Sequence, residues 1–518
     1  MGSYRIGLFI LIKYSNVFYS IGGNNMRSDR RRERRGRSKQ TTKDYSKILS
    51  IIYSVLLVCF IASLIWLNVL PAKYLYPLII VLLVVSVFIV PVLYSKYGKP
   101  ERKKGATIAA AVLIVVFAIG TYYMTATLNF LSDITSIVGP KETFYVLVDK
   151  ESEYQKVDEL AGKTISAYAT VDKTYAAART KLVDKVDVSF EYYKDLQIMV
   201  DDLIAGNKEA AFISAASYES INGDNGTLDE KVKILHKITV AVENGRSAKN
   251  VNVTKEPFNI LITGIDVAGN IDTVSRSDVN MIATVNPKTK KVLLTSIPRD
   301  YYVELPSKES YDKLTHSGLY GANETIAAVE KSLGLEINYY VKVNYSTVIK
   351  LVDAIGGIDI NSPYSFTTHG MKAKYTFAAG PIHLDGAQAL AYSRERKSWA
   401  DADMRRNENQ QLILEAILKK CTSSSTILSE YTSILNAVKN NIETDMSSKS
   451  MRALVKMQIS DMASWDIERY AIKGIPDSKY CYALGANASV VNPDEAYIAK
   501  AMDKIMSVQK GKAEADEN

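Results

Sequence analysis

Three uncharged apolar runs, Ile48 to Leu70, Leu75 to Ser95 and Ala106 to Leu128, constrain this 518-residue chain more than any other feature. Each has about the 20 residues that a helix needs to cross roughly 30 Å of hydrocarbon. Buried core helices are shorter and keep a polar edge, which these runs lack. They are therefore read as three membrane spans.

The charge distribution gives the spans a direction. Residues 1–130 hold 18 Lys and Arg against 4 Asp and Glu, a net of +14, whereas the remaining 388 residues hold 46 against 52, a net of −6. The basic excess lies at Arg27 to Lys47, before the first span, and at Lys96 to Lys104, between the second and third; the loop between the first two spans carries only Lys73. Lys and Arg collect on the cytoplasmic side, which predicts a cytoplasmic N-terminus (1–47) and an extracellular position for everything after Leu128. The run Arg30 to Arg37 reads as a solvated topogenic tail rather than a lipid or nucleic-acid contact, and an acidic folded part argues against nucleic acid as a partner. Ile6 to Ile12 is too short to span and lacks a signal-peptide cleavage site; Met26, directly ahead of the basic run, would also serve as a start, the choice stays open, and residues 1–25 are read as uninformative. Cys59 falls in a span. Cys421 and Cys481 lie outside, and whether they pair stays open. No cysteine has metal-ligand spacing, and four histidines make a structural zinc site a poor expectation.

Two soluble segments follow. In 141–242, strand-like Phe144 to Val148, Val186 to Phe190 and "NKEAAFIS" alternate with helical Tyr175 to Leu182 and Leu196 to Gly206. That alternation predicts a small α/β accessory domain. Its "ELAGKTI…VDDLIAGNKEAAFIS" loosely resembles one lobe of solute-binding proteins, although a spacer or docking module fits it better. Residues 243–256 read as a polar linker. In 257–510, "FNILITGI", "DVNMIATVN" and "KVLLTSIP" read as strands, the last two joined by the turn "NPKTKK". Helices are expected at Glu324 to Leu333, Tyr345 to Ala354, Gly386 to Tyr392, Glu408 to Lys419, Ser429 to Lys439 and Pro493 to Met506. The mixture predicts an α/β (α+β) catalytic domain, a central mixed sheet flanked by helices.

Four polar clusters carry chemistry there. "GIDVAGNIDTVSRSDVN" sets Asp266 at one strand's end and Asp278 at the next strand's start, where two carboxylates can share a hard cation with phosphate oxygens; Asp in a Gly-rich loop is also ordinary turn chemistry. "SIPRD" offers Arg299 and Asp300, and "DKLTHSGLYG" offers Lys313 and His316, all of which also suit exposed loop ends. "AYSRERKSWADADMRRNENQQ" is the strongest. Arg394 and Arg396 alternate, so an extended segment would aim both at one face, and Arg406 and Gln410 share a helix face. Guanidinium groups grip phosphate oxygens bidentately. Salt bridges to Glu395, Asp401, Asp403 and Glu408 are the plain alternative.

The ordered set "GID…RSDVNM…TVNPKTKKVLLTSIPRDYYVEL", "KLTHSGLYG", "VDAIGGIDI" and "LDGAQALAYSRER…DMRRNENQQ", over roughly Phe258 to Leu418, resembles the LytR-CpsA-Psr family of bacterial cell-envelope proteins. The resemblance implies a phosphotransferase that moves an anionic glycopolymer (wall teichoic acid or capsular polysaccharide) from a polyprenyl-pyrophosphate carrier to peptidoglycan, outside the membrane of a Gram-positive-type envelope. It implies Mg²⁺, with Mn²⁺ as a substitute, on Asp266 and Asp278. It further implies a pyrophosphate grip of Arg276, Arg299, Lys313, Arg394, Arg396, Arg406 and Gln410, with Asp403 as general base beside catalytic Arg299 and Arg396. Asn409 stands where the family often has an arginine, which puts one ion pair in doubt and leaves Gln410 intact. The competing expectations are a polyprenyl-pyrophosphate pyrophosphatase, a membrane-bound transcriptional attenuator, for which the cytoplasmic tail lacks a helix-turn-helix pattern, and an adhesive scaffold.

Overall fold

The structure, a computed structural model, describes residues 45–511 apart from 96–99, 134–140, 171, 223–227, 242–247, 266–270, 272–274, 370–372, 400–401, 424–432, 435–436 and 438–440. The apolar runs form α1 (Tyr45–Leu67), α2 (Ala72–Tyr94) and α3 (Pro100–Asp133), each long and apolar enough to cross a membrane. Tyr53 and Ser86 hydrogen-bond at 2.8 Å between α1 and α2, and Phe60 stacks on Phe117 of α3.

The accessory segment comprises β1 (Lys141–Asp149), β2 (Lys163–Tyr168), α4 (Lys173–Lys185), β3 (Val188–Tyr193), α5 (Leu196–Ile204), β4 (Ala211–Ser214), α6 (Ala215–Asn222) and β5 (Val232–Ala241). Its strands form one mixed sheet in the order β3-β2-β4-β1-β5. Asp172 and Asp195 cap α4 and α5, their carboxylates accepting from the first free backbone N–H groups.

The catalytic segment opens with β6 (Phe258–Ile265), β7 (Ser277–Asn286) and β8 (Lys291–Ile297). It continues through β9 (Tyr302–Leu305), β10 (Ser310–Lys313), α7 (Leu314–Ser317), α8 (Ala322–Leu333), β11 (Tyr339–Asn344) and α9 (Tyr345–Ala354). Next come β12 (Ile358–Ser362), β13 (Phe366–Thr367), β14 (Thr376–Phe377), β15 (Gly380–Leu384), α10 (Gly386–Arg394) and α11 (Ala402–Thr422). The chain closes with β16 (Ile442–Thr444), α12 (Ser448–Asp461), β17 (Asp466–Ala471), β18 (Gly474–Cys481), β19 (Ala486–Pro493) and α13 (Glu495–Lys510). Most of the helix expected at Ser429 to Lys439 lies outside the described residues.

Six of these strands make the central mixed sheet, β16-β11-β6-β7-β8-β17. Strand alternation splits its side chains between two layers. Leu261, Ile282 and Leu293 face Ile326 and Val329 of α8 and Ala501 and Ile505 of α13. Met281, Ala283 and Leu294 face Leu414 and Leu418 of α11. Because β6 runs parallel to β11 and antiparallel to β7, and β7 antiparallel to β8, one sheet edge collects the ends of β6, β8 and β11 and the start of β7. Such an edge is where open α/β sheets place their ligands.

The accessory sheet is docked on this segment. Lys308, with 2% of its side chain exposed, reaches Glu142 at 2.6 Å and Asp172 at 2.8 Å. Tyr168 and Tyr480 share a 2.9 Å hydrogen bond, and Thr170 and Tyr482 one of 3.3 Å. The β18–β19 hairpin that brings these tyrosines was not foreseen in the sequence. Cys421 and Cys481 are both free thiols, so they do not pair.

Burial works against the Lys308 charge, but the Glu142 and Asp172 carboxylates outweigh it and hold the amine above its ordinary 10.5. Burial also opposes charge on both acids. Asp172, which accepts from the backbone N–H groups of Thr174 and Tyr175 as well as from Lys308, ends below its usual 3.8, while Glu142 ends above its usual 4.5. The Lys308 contribution is thus present below pH 10.5 and lost as pH rises through its raised folded value. The Asp172 contribution is present above pH 3.8 and lost as pH falls through its lowered folded value; Glu142 has the opposite sign and costs stability once ionised. Replacing Lys308 with Met leaves two buried carboxylates unpaired and is expected to cost about 3–5 kcal/mol, read by urea denaturation of the full chain in detergent.

Candidate active site

A cavity of about 650 Å³ opens at the sheet edge just described. Its lining joins polar Arg276, Asp278, Arg299, Arg394, Arg396, Arg406 and Gln410 to apolar Ile262, Met281, Val348, Leu390, Ile413, Leu414 and Ile417. Polar residues spread over 135 positions, Arg276 to Gln410, meet there because the sheet order brings β7's start, the turn after β8, and the α10–α11 connection to one place.

Asp278 is the anchor. It is buried, its Oδ2 accepts from Arg299 Nη1 at 3.0 Å, and its Oδ1 accepts from the Thr315 hydroxyl at 2.9 Å. Burial alone would raise its carboxyl; Arg299, Arg406, the Thr315 hydroxyl and Arg276 together hold it below the ordinary carboxylate value. Gly318 makes the Thr315 contact available, since a Cβ there would meet the Ser277 backbone nitrogen at 2.6 Å. Thr315 sits inside the "KLTHSG" run and was missed because a threonine between a leucine and a histidine gives no distinct signal.

Arg406 is buried; its Nη2 lies 3.0 Å from Asp403 Oδ1, and its Nε makes no hydrogen bond. Burial and the neighbouring Arg299 pull its guanidinium below its ordinary pKa, against the attraction of Asp403 and Asp278. Buried donors without acceptors are costly unless a ligand supplies oxygens. Arg405, one residue earlier, points elsewhere: it donates to Glu408 at 2.7 Å and to the Tyr364 hydroxyl at 2.6 Å. The salt-bridge alternative holds for Arg405 with Glu408 and for Arg406 with Asp403, but Arg406 lines the cavity as well.

The geometry differs from expectation at three points. Arg394 is the last residue of α10 rather than part of an extended run, and its guanidinium lies 4.2 Å over the Tyr345 ring. It still lines the cavity with Arg396, because the chain leaves the helix between them. Lys313 does not line the cavity; its amine is 3.4 Å from Asp300, which also approaches Arg299 Nε at 3.6 Å, so it reaches the site through that carboxylate. Asp403 is half exposed and outside the cavity lining, paired to Arg406 instead. His316 is buried with its Nδ1 2.6 Å from Asp312 and serves the fold.

Asn409 is buried and donates to the Tyr392 carbonyl at 3.2 Å, tying α11 to α10, while Gln411 donates to the carbonyls of Leu294 and Tyr470. Those two ties turn Gln410 toward the cavity. Asp266 lies outside the described residues. Ile265, directly before it, pairs with Ser277, directly before Asp278. Asp278 offers oxygen donors of the kind a hard dication takes with phosphate oxygens, so the donor chemistry fits Mg²⁺. No group of three or more His, Cys, Asp or Glu that could hold a metal occurs among the described residues, so the phosphate would have to complete the shell.

Glu219, on α6 of the accessory segment, also lines the cavity. Burial and then Asp229 raise its carboxyl, against Arg276 and Lys237. Nothing in its local sequence marks it, since only docking brings it there. Replacing it with Gln removes a negative charge from an anion cavity. The variant is expected to bind inorganic pyrophosphate about fivefold more tightly, for a Coulomb term of about 1 kcal/mol. The difference should fade as pH falls through the raised Glu219 pKa, where the wild-type carboxyl becomes neutral; titration calorimetry across pH checks this.

Fold and cavity define a membrane-anchored α/β protein with an arginine-lined anion pocket continued by an apolar channel. Residues 227–503 match the model of the LytR_cpsA_psr family, more than half of the chain, and the chain belongs to that family. The polyisoprenyl-teichoic acid–peptidoglycan teichoic acid transferase TagU of Enterococcus faecalis is 38% identical over 226 residues, 43% of this chain and 72% of that protein. TagU of Bacillus mycoides is 36% identical over 237 residues, 45% of this chain and 74% of that one. The crystal structure of B. subtilis TagV aligns at 29% identity and a TM-score of 0.41, over 49% of this chain and 98% of its own.

Proposed function

We propose that this protein transfers an anionic glycopolymer, of the wall teichoic acid or capsular type, from a polyprenyl-pyrophosphate carrier to peptidoglycan on the outer face of the membrane. The observation that carries the proposal is one cavity lined both by guanidinium groups and by aliphatic side chains. A pyrophosphate needs the first and a prenyl chain the second, at roughly 0.8 kcal/mol per buried CH₂. The relatives named as teichoic acid transferases support the same reading, and the basic N-terminal flanks support an extracellular site.

Phosphoryl transfer depends mostly on positioning and electrostatic stabilisation. Arg276, Arg299, Arg394, Arg396 and Arg406, with Gln410, would hold the pyrophosphate oxygens, and Asp278 keeps Arg299 aimed at them. Asp278 and Asp266 would hold Mg²⁺, which would supply further positive charge to those oxygens. A peptidoglycan hydroxyl oxygen bonds to the sugar-linked phosphorus, its proton leaves to a base, the P–O–P bridge breaks, and polyprenyl phosphate departs. Asp403 acts here by orienting Arg406.

Arg396→Ala is expected to lower transfer by about 10²–10³-fold, as for loss of one donor to a developing oxyanion, without a change in melting temperature. Undiminished transfer of a lipid-linked polymer to peptidoglycan by that variant would sink the proposal. Withholding the acceptor separates transfer from pyrophosphatase action: phosphate release should then be negligible. For Asp403→Asn, a positioning role predicts a raised KM with an unchanged pH profile, whereas a general base would lose its acidic limb.

A further inference from the structure

A second cavity, of about 540 Å³, lies at the ends of the membrane helices and is lined by Asn68, Pro71, Ala72 and Thr254 together with Lys449, Arg452 and Lys456 of α12. The α1–α2 turn and the end of α3 lie on the same side of any membrane the three helices cross, because two further crossings separate them. α12 rests against both. Lys456 Nζ donates to Asn68 Oδ1 at 2.8 Å, Lys73 Nζ to the Ser460 carbonyl at 2.6 Å, and the Ser448 hydroxyl to the Leu131 carbonyl at 2.8 Å. The thirteen residues from Ser448 to Ser460, roughly 18 Å of helix, thus run along the level where the spans leave the hydrocarbon, which is headgroup level.

The helix is divided for such a position. Met451 and Leu454 pack on the cluster around Phe258, Tyr339 and Met446. Lys449, Arg452 and Lys456 are spaced three and four apart and so share the other face. The one acid lining this cavity, Asp461, is 2.8 Å from Lys290 and thereby neutralised. Among the described residues Lys449 and Arg452 have no acidic partner. Three cations therefore face headgroup depth with no protein anion to meet them.

We infer that the Lys449–Arg452–Lys456 face is a docking site for the phosphodiester headgroups of anionic lipids, distinct from the pyrophosphate cavity and independent of the reaction assigned to it. Position selects the lipid over a soluble phosphate ester: long basic side chains at this depth extend along apolar surface toward the headgroups. The site also bears on the catalytic cavity. Gln458 of α12 donates to the carbonyl of Thr422, the last residue of α11, at 2.8 Å. Ile413 and Ile417 of that same helix line the apolar channel, so a docked α12 holds the channel's helix at a set height above the bilayer.

Hydrogen exchange of residues 448–461 tests this in the full chain, reconstituted in nanodiscs of phosphatidylcholine alone or mixed with phosphatidylglycerol. Each cation near an anionic surface contributes about fivefold. Exchange should therefore slow at least about tenfold with phosphatidylglycerol, an effect that high salt erases. A Lys449→Gln, Arg452→Gln, Lys456→Gln variant should lose the response, and a charge-conserving Lys449→Arg, Arg452→Lys variant should keep it. Equal exchange in the two lipids, or slowing that survives in the triple Gln variant, overturns the assignment. Equal slowing when glycerol 3-phosphate is added to neutral nanodiscs overturns it too, because the site would then take a soluble phosphate ester.

Discussion

The antiparallel pairing of β6 with β7, closed by Ile265 against Ser277, is the constraint on which the site depends. It puts the end of one strand beside the start of the next, buries Asp278 at that corner, and leaves its carboxylate to be met by Arg299 from beyond β8. A buried carboxylate requires compensation, and here several arginines supply it at once. The same arginines crowd one another, as the lowered Arg406 guanidinium records. The pocket is therefore preorganised for an anion with more charge than one aspartate provides. The pyrophosphate proposed as ligand would relieve that excess, and stability and affinity would then draw on one set of charges.

The accessory domain belongs to this site rather than standing beside it. Lys308 bridges two of its carboxylates in a contact almost closed to water, and Leu49–Asn518 pack as one unit. Through that docking, α6 brings Glu219 to the cavity from outside the 227–503 match. A carboxylate at the rim of a cationic pocket weakens small anions. It also offers a hydrogen-bond acceptor to a polyol, so an acceptor or glycan hydroxyl has a partner that the arginines cannot provide. Residues 141–242 thus dock on the segment that follows and contribute Glu219 to its cavity.

Much of the fold was legible because it rests on local patterns. The spans, the β7–β8 hairpin and the helices at Tyr345 and Glu408 follow from apolar length, turn chemistry and periodicity, and each lies within a few residues of its expected place. The region 386–396 was harder. Arg394 was expected in an extended run, yet α10 continues through it, because helix ends depend on what packs beside them rather than on the residue's own preference. The β18–β19 hairpin and its tyrosines escaped notice for a related reason: they are mostly exposed strands whose role lies in a contact with a distant segment.

The sequence by itself determined that this chain has three helices able to span a membrane, that its basic charge sits around them, and that its folded part carries arginines and aspartates in an ordered set of motifs. Apolar length and residue type are sufficient for that. Which of those residues share a site was decided only by tertiary structure. Arg405 and Arg406 are neighbours with the same side chain, but successive helix residues point about 100° apart. The packing of α11, through Asn409 and Gln411, sends the second into the cavity and the first to Glu408. Lys313, through Asp300, and Asp403, through Arg406, stand one contact behind the cavity, and Glu219 was brought to it from the accessory segment.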